Sequence, residues 1–432
     1  MEPSGTRNFP VRLLIIGIGI PLLLCALLGT KLLWARNADG PVISSIHLRT
    51  SPWSAALDER TGQLCVVNRA YGGFAYLPAS TGATNYFGYS SSLAGTRYGS
   101  STIQSQNTNT VSVISAAGDY VEQTVPVGED PRAAAIDPVH GRGYVTSDDQ
   151  SSVSVIDEHD TANSRTVRVG IRPHAVTVSG PTNRAFVVNT SDGTVSGIDA
   201  SSSRVLRVVH VPAAVDTAGA AVDGATSHVF VAGGGSLSVL DARSGAVLKT
   251  VYLQSADQLQ RFALAQGGAT YGQARFGYSA VMTQVVVDQK AGRVYILEPG
   301  LLSVVDAGSS AVLRNIPVST DATALALDPR NGHLLVARAG DSAGSSGSLD
   351  VLDPQTGRTL RTFTVGVAPT ALVVDQHIGC LYVVDRGGEQ KVANPLNWLP
   401  DGVRQHLPFG SSAQSTTRML PGSIFVLSLD KI

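Results

Sequence analysis

Arg132 and His174, with Asp148, Asp149 and Asp192 at short intervals after them, are the residues of this 432-residue chain best equipped for chemistry. An imidazole among carboxylates is raw material for acid–base transfer or for holding a metal ion, and a guanidinium supplies a permanent positive charge. Trp53 is a further candidate at the position equivalent to Arg132 and His174. Glu298, Arg338, Asp341, Asp385 and Arg386 extend the set of charged candidates. Their spacing alone specifies no reaction, and isolated loop carboxylates more commonly serve turns. The chain has no C-x-x-C pair, H-E-x-x-H, Walker loop, D-x-D-x-D-G calcium loop or G-x-S-x-G elbow. The triple glycine beginning at Gly233 has no following helical pattern, so it is not read as a phosphate cradle. No cofactor and no metal are expected.

The elements that must position these residues come from a repeated pattern. AALDERTGQLCVVN from Ala55 recurs as AAAIDPVHGRGYVTS from Ala133, AVTVSGPTNRAFVVN from Ala175 and GAAVDGATSHVFVA from Gly219. It returns as QVVVDQKAGRVYIL from Gln284, ALALDPRNGHLLVA from Ala324 and ALVVDQHIGCLYVV from Ala371, which makes seven copies. Each couples two short Val-, Ile- and Ala-rich runs across a turn, which runs Asp-to-Gly in five copies, Ser179 to Asn183 in the third and Asp223 to Ser227 in the fourth. Asp accepts hydrogen bonds from a turning backbone and Gly accommodates positive φ, so these pairs read as hairpin chemistry. A third run follows (SVSVID, TVSGID, SLSVLD, LLSVVD, SLDVLD), then a fourth ending near VPVG, VRVG or FTVG.

Four strands cannot bury both of their faces alone, and unspoiled spacings such as Asp288 to Asp328 match one blade of about 40 to 45 residues. The pattern therefore predicts an all-β, seven-bladed β-propeller over residues 42–432. VISSIHL from Val42 aligns with an outermost strand, while the last copy lacks one after GSIFVLSL from Gly422. The two ends are expected to complete one blade together and close the ring.

The motifs x-V-x-V-I-D, T-V-x-V-G-x-x-P-x-A and D-x-x-x-G-x-x-Y-V-x-N resemble the YVTN-type β-propeller repeat. They are clearest in TVSVISAAGDYVEQTVPVGEDPRAAAIDPVHGRGYV and TVRVGIRPHAVTVSGPTNRAFVVN. The resemblance implies the same architecture and a place in the bacterial cell envelope, but a fold does not fix an activity.

Long insertions break the repeat at 69–109, 254–283 and 386–421. In a four-stranded blade the connections they occupy emerge on one face, where rigid scaffolds commonly carry binding loops. The position five before each turn residue, holding Trp53, Arg132, His174, Ala218, Thr283, Thr323 and Thr370, is expected to open onto the central channel on that face. Such side chains can line a funnel or simply plug it. The insertions are rich in aromatics with Arg, and the third carries Trp398, Arg404 and His406. These residues suit contact with a protein or a glycan, or packing of the loops on themselves.

Apolar residues make up 43% of the chain, charged residues only 15%, and the net charge is −1, so neither nucleic acid nor an anionic surface is the expected partner. Eighteen uncharged residues lie between Arg12 and Lys31. As a helix they would extend ~27 Å, about one hydrocarbon thickness. Residues 1–36 read as a cytoplasmic stub and an uncleaved membrane anchor spanning 13–33, followed by a linker at 37–41, with the propeller outside the cytoplasm. Cleavage of the segment would make the protein secreted. Cys65 and Cys380 fall in copies that would be neighbours in a closed ring, either bonded or as buried thiols.

The expectation is a non-enzymatic, membrane-anchored propeller that binds a protein or glycan through the face bearing the insertions. The alternative is an enzyme of lactonase-like or quinoprotein-dehydrogenase-like type working in the central funnel.

Overall fold

The computed structural model describes residues 40–48, 50–69, 109–115, 120–158, 160–215, 217–254, 283–340, 345–393 and 415–432. The segment 13–33 and the residues Trp398, Arg404, His406 and Asp341 lie outside them. No helix among the described residues is long and apolar enough to cross a membrane.

Seven four-stranded antiparallel sheets form the blades. After β1 (Val42–His47), blade 1 is β2 (Ser51–Asp58), β3 (Gln63–Arg69), β4 (Thr110–Ser115) and β5 (Tyr120–Pro126). Blade 2 is β6 (Pro131–Asp137), β7 (Arg142–Ser147), β8 (Ser152–Asp157) and β9 (Asp160–Arg168). Blade 3 is β10 (Pro173–Ser179), β11 (Arg184–Asn189), β12 (Thr194–Asp199) and β13 (Arg204–His210). Blade 4 is β14 (Gly219–Asp223), β15 (His228–Gly233), β16 (Ser236–Asp241) and β17 (Val247–Tyr252). Blade 5 is β18 (Gln284–Asp288), β19 (Arg293–Glu298), β20 (Leu301–Asp306) and β21 (Val312–Pro317). Blade 6 is β22 (Ala322–Leu327), β23 (Leu334–Arg338), β24 (Ser348–Leu352) and β25 (Thr359–Thr364). Blade 7 begins with β26 (Pro369–Asp375) and β27 (Cys380–Asp385). It is completed by β30 (Ser423–Ser428) and then by β1, in the order β26-β27-β30-β1. The ends of the chain thus close the ring as the repeat predicts. An extra hairpin, β28 (Gly388–Ala393) with β29 (Ser415–Leu420), stands in the third insertion and has no counterpart in the repeat.

The turns behave as their residues require. Asp58, Asp137, Asp288, Asp328 and Asp375 each accept a hydrogen bond from the backbone N–H two residues ahead. The glycines four residues on, including Gly62 (φ +69°) and Gly332 (φ +76°), occupy the left-handed region. In the two copies without that glycine, Asn183 (φ 54°) and Ser227 (φ 57°) adopt the same conformation.

Several innermost strands, such as PRAAAID, GAAVD and ATALAL, are Ala-rich, which suits strands that converge on the axis. The second strands instead carry the largest buried side chains. Tyr144, Phe186, Phe230, Tyr295 and Tyr382 fall at one repeat position, each at most 1% exposed, and pack between blades. Cys65 takes that position in blade 1, and burial pushes its thiol up to about 12. No disulfide joins Cys65 and Cys380.

Candidate functional site

Trp53, Arg132 and His174 lie within the first three residues of the innermost strands of three successive blades. Each falls where the register of its first hairpin shifts: at Pro52/Ser54, Pro131/Ala134 and Pro173/Ala175. A bulge at this point re-aims a side chain, and Thr323 and Thr370 sit at the same device in blades 6 and 7. The seven positions then divide. In blades 4 to 7 the residue is small, and Thr323 donates to Pro369 O (2.7 Å), which satisfies its hydroxyl within the scaffold. In blades 1 to 3 it is large, and all three side chains are buried, at 6%, 8% and 2% exposure for Trp53, Arg132 and His174.

A chain of alternating charges crosses these three blades. Arg69, the last residue of β3, pairs with Asp130. Asp130 also holds Arg132 at 2.9 Å, and Arg132 reaches Asp148 at 3.0 Å. Asp148 then accepts two hydrogen bonds from Arg172, at 3.1 and 3.2 Å. The guanidinium of Arg69 lies 5.0 Å and that of Arg132 6.0 Å from the Trp53 ring centroid, both within cation–π range. Asp130 (φ 51°) and Arg172 (φ 55°) hold left-handed backbone directly before a proline. For non-glycine residues that costs on the order of 1 kcal/mol each, so the packing around them enforces the geometry.

The electrostatics of the site follow from its burial. Desolvation, reinforced by the nearby Arg132 guanidinium, lowers the His174 pKa to about 4, so its imidazole is neutral at neutral pH. Asp149 is pushed the other way, first by desolvation and then by the Asp130 and Asp148 carboxylates. Arg132 Nε and His174 Nδ1 have no hydrogen-bond partner among the described residues. Three guanidinium groups facing Asp130, Asp148 and Asp149 leave little net charge, so the rim is better suited to polar neutral groups than to a free anion. No group of three or more His, Cys, Asp or Glu able to hold a metal is present among the described residues.

A proton-linkage consequence can be measured. The unfolded chain protonates His174 near 6.5, whereas the folded chain resists until about 4. The unfolded state therefore binds more protons in that window, and stability falls as pH drops through it, by on the order of 3 kcal/mol. Urea unfolding at pH 7 and pH 4.5 should show this loss for the native protein and a smaller one for His174→Gln.

The remaining expected residues do not join this cluster. Glu298, Arg338 and Asp385 lie at the ends of second strands rather than in loops, at the repeat position of Asn68, Ser147 and Asn189. That position braces the scaffold. Asn68 and Asn189 each donate to two hydroxyls of the third strand, Thr110 and Ser112 for one and Thr194 and Ser196 for the other. Asp385 accepts from the backbone of Val367 (3.1 Å) and Ala368 (2.7 Å), and Glu298 from Gly235 N (2.9 Å). Burial raises the pKa of both carboxylates. Arg338 pairs with Asp350 at 2.8 Å within its own blade. Asp192 accepts from Ile171 N and from Thr194 Oγ1, tying down the loop before β10. Arg386 donates its backbone N–H to Ala368 O. Arg69, Asp130 and Arg172 are the members of the charge chain that repeat alignment passed over; the D-P-R and R-P-H triplets before β6 and β10 were the available signal.

A closed seven-bladed propeller with a charged rim over three blades is the class of protein that these features define. No protein-family model matches the chain, and no curated protein sequence matches it. Many solved chains share its fold. One is a chain of the Kuenenia stuttgartiensis hydrazine synthase, 13% identical, which aligns over 79% of this chain and 94% of its own length with a TM-score of 0.55. At that identity the likeness is one of fold alone.

Proposed function

We propose that the protein is a membrane-anchored, extracytoplasmic propeller that binds a protein or glycan through the face bearing the insertions. The YVTN-type repeat and the apolar segment at 13–33 are the sequence basis for its placement in the envelope. One observation carries the binding role: the stems of all three long insertions open onto the face that holds the charge chain. Arg69 ends β3 at the first, Leu253 and Gln254 lead from β17 into the second, and the β28–β29 hairpin carries the third. Arg69 belongs to both the stem and the charge chain through its pair with Asp130. The enzymatic alternative asks for a proton-transfer group working near neutral pH in the funnel, and His174 at about 4 does not favour it.

The test uses the full-length chain beside a variant in which residues 394–414 are replaced by a short Gly-Ser connection between β28 and β29. Affinity capture from envelope extracts, together with a glycan array, should show binding by the native protein that the variant loses. Equal capture by both would remove the support for this face.

A further inference from the structure

On the opposite face, where the hairpin turns lie, Asp137, His140 and Ser201 stand in the order of an acyl-transfer triad. His140 Nδ1 is 2.6 Å from Asp137 Oδ2, and His140 Nε2 is 3.4 Å from Ser201 Oγ. Asp137 is fully buried and its carboxylate also accepts from Val139 N at 3.0 Å. A carboxylate only accepts, so the imidazole proton sits on Nδ1 and the Nε2 lone pair faces the serine. Ser201 itself is exposed at the blade 3 turn between β12 and β13.

That turn is held rigidly by the neighbouring blade. Arg142 Nη1 lies 2.5 Å from both Ala200 O and Ser201 O, Tyr144 donates its hydroxyl to Ala200 O at 3.2 Å, and Arg165 reaches Ser202 O at 3.0 Å. The arrangement occurs once in the repeat: at the position of His140 the other copies carry Thr61, Thr182, Thr226, Ala291, Asn331 and Ile378. A competing contact restrains the serine, because Ser201 Oγ donates to Asn183 Oδ1 at 2.9 Å, nearer than the imidazole.

We propose that Ser201 is an activated nucleophile toward small, unhindered acyl esters and their phosphonyl analogues, with His140 as its base and Asp137 as the residue that orients the base. Ser201 Oγ bonds to the acyl carbon, its proton passes to His140 Nε2, and the ester's alkoxide leaves with that proton as the alcohol. Water then attacks the acyl-serine with His140 again accepting a proton, which releases the acid and restores the hydroxyl. The Arg142 guanidinium, fixed against the same turn by Ala200 O and Ser201 O, keeps a permanent positive charge beside Ser201. The site is shallow and exposed, so it would select for reactivity and small size rather than for an elaborate substrate.

The test incubates the full-length protein with an alkyl fluorophosphonate, in which the Ser201 O–P bond forms as P–F breaks, and maps the adduct by peptide mass spectrometry. A single adduct on Ser201 is expected, lost in Ser201→Ala. His140→Gln should slow its formation by about 100-fold, the lower range for a positioned general base. Asn183→Gly should accelerate it, since the competing acceptor is gone and glycine readily adopts the φ of 54° at that position. Melting curves confirm that each variant is folded. No adduct on the native protein, equal labelling of Ser202 and Ser203, or an unchanged rate in His140→Gln would each overturn the proposal.

Discussion

Deleting residues 40–48 is expected to abolish the cooperative thermal transition, although the segment is short and lies at the outer edge of one blade. β1 pairs with β30 from Val42 to His47, Leu48 N bonds Gly422 O at 2.8 Å, and Ser428 N bonds Pro41 O at 2.8 Å. Ile46 and Leu48 are 6% and 4% exposed and enter a core shared by blades 7 and 1, with Leu64, Ile114 and Tyr382. Losing two such side chains costs about 2–5 kcal/mol each, which together approaches the 5–15 kcal/mol that holds a typical domain folded. The deletion also bares the edge of β30 and opens the ring. Calorimetry should show no sharp transition, whereas Ile43→Ser on the same strand, at a residue 60% exposed, should change stability by no more than about 0.5 kcal/mol. A deletion mutant that melts within a few degrees of the native protein would show that the ring does not depend on this closure.

Arg132→Ala is the second change with a large expected effect. Its guanidinium lies between Asp130 at 2.9 Å and Asp148 at 3.0 Å, with a side chain only 9% exposed. Removing one partner from a buried ion pair leaves uncompensated charge and costs about 3–5 kcal/mol. Arg172 still reaches Asp148 and Arg69 still reaches Asp130, which places the expected loss at the lower end of that range. Arg60 provides the contrast. It pairs with Glu158 at 2.5 Å, but its side chain is 51% exposed, so Arg60→Ala should cost under about 1 kcal/mol. Urea midpoints at constant slope separate the two cases, and equal shifts would mean that the charge chain contributes no more than a surface pair.

Much of the architecture was legible without coordinates. Asp-to-Gly turns, apolar runs of strand length and a recurring spacing are local properties, because hydrogen bonding by Asp and the φ freedom of Gly act over two to four residues. The same alignment located β1 as the missing outer strand of blade 7, since a lone strand at the start and a three-stranded copy at the end complete one another. The β28–β29 hairpin was not legible, because it belongs to no repeat.

The site divides in the same way. Alignment along a strand places Trp53, Arg132 and His174 at equivalent points, but which side chains meet across blades depends on how the wedges pack. That packing alone joins Arg69 to Asp130 and Arg172 to Asp148, and seats Glu298 and Asp385 against backbone N–H groups as internal braces. It also brings His140 of blade 2 to Ser201 of blade 3, residues 61 positions apart in the chain. Repeat periodicity is set by each unit's own hydrogen bonds and was therefore written in the sequence. Contacts between units arise only when the ring closes, and they were settled by the tertiary structure.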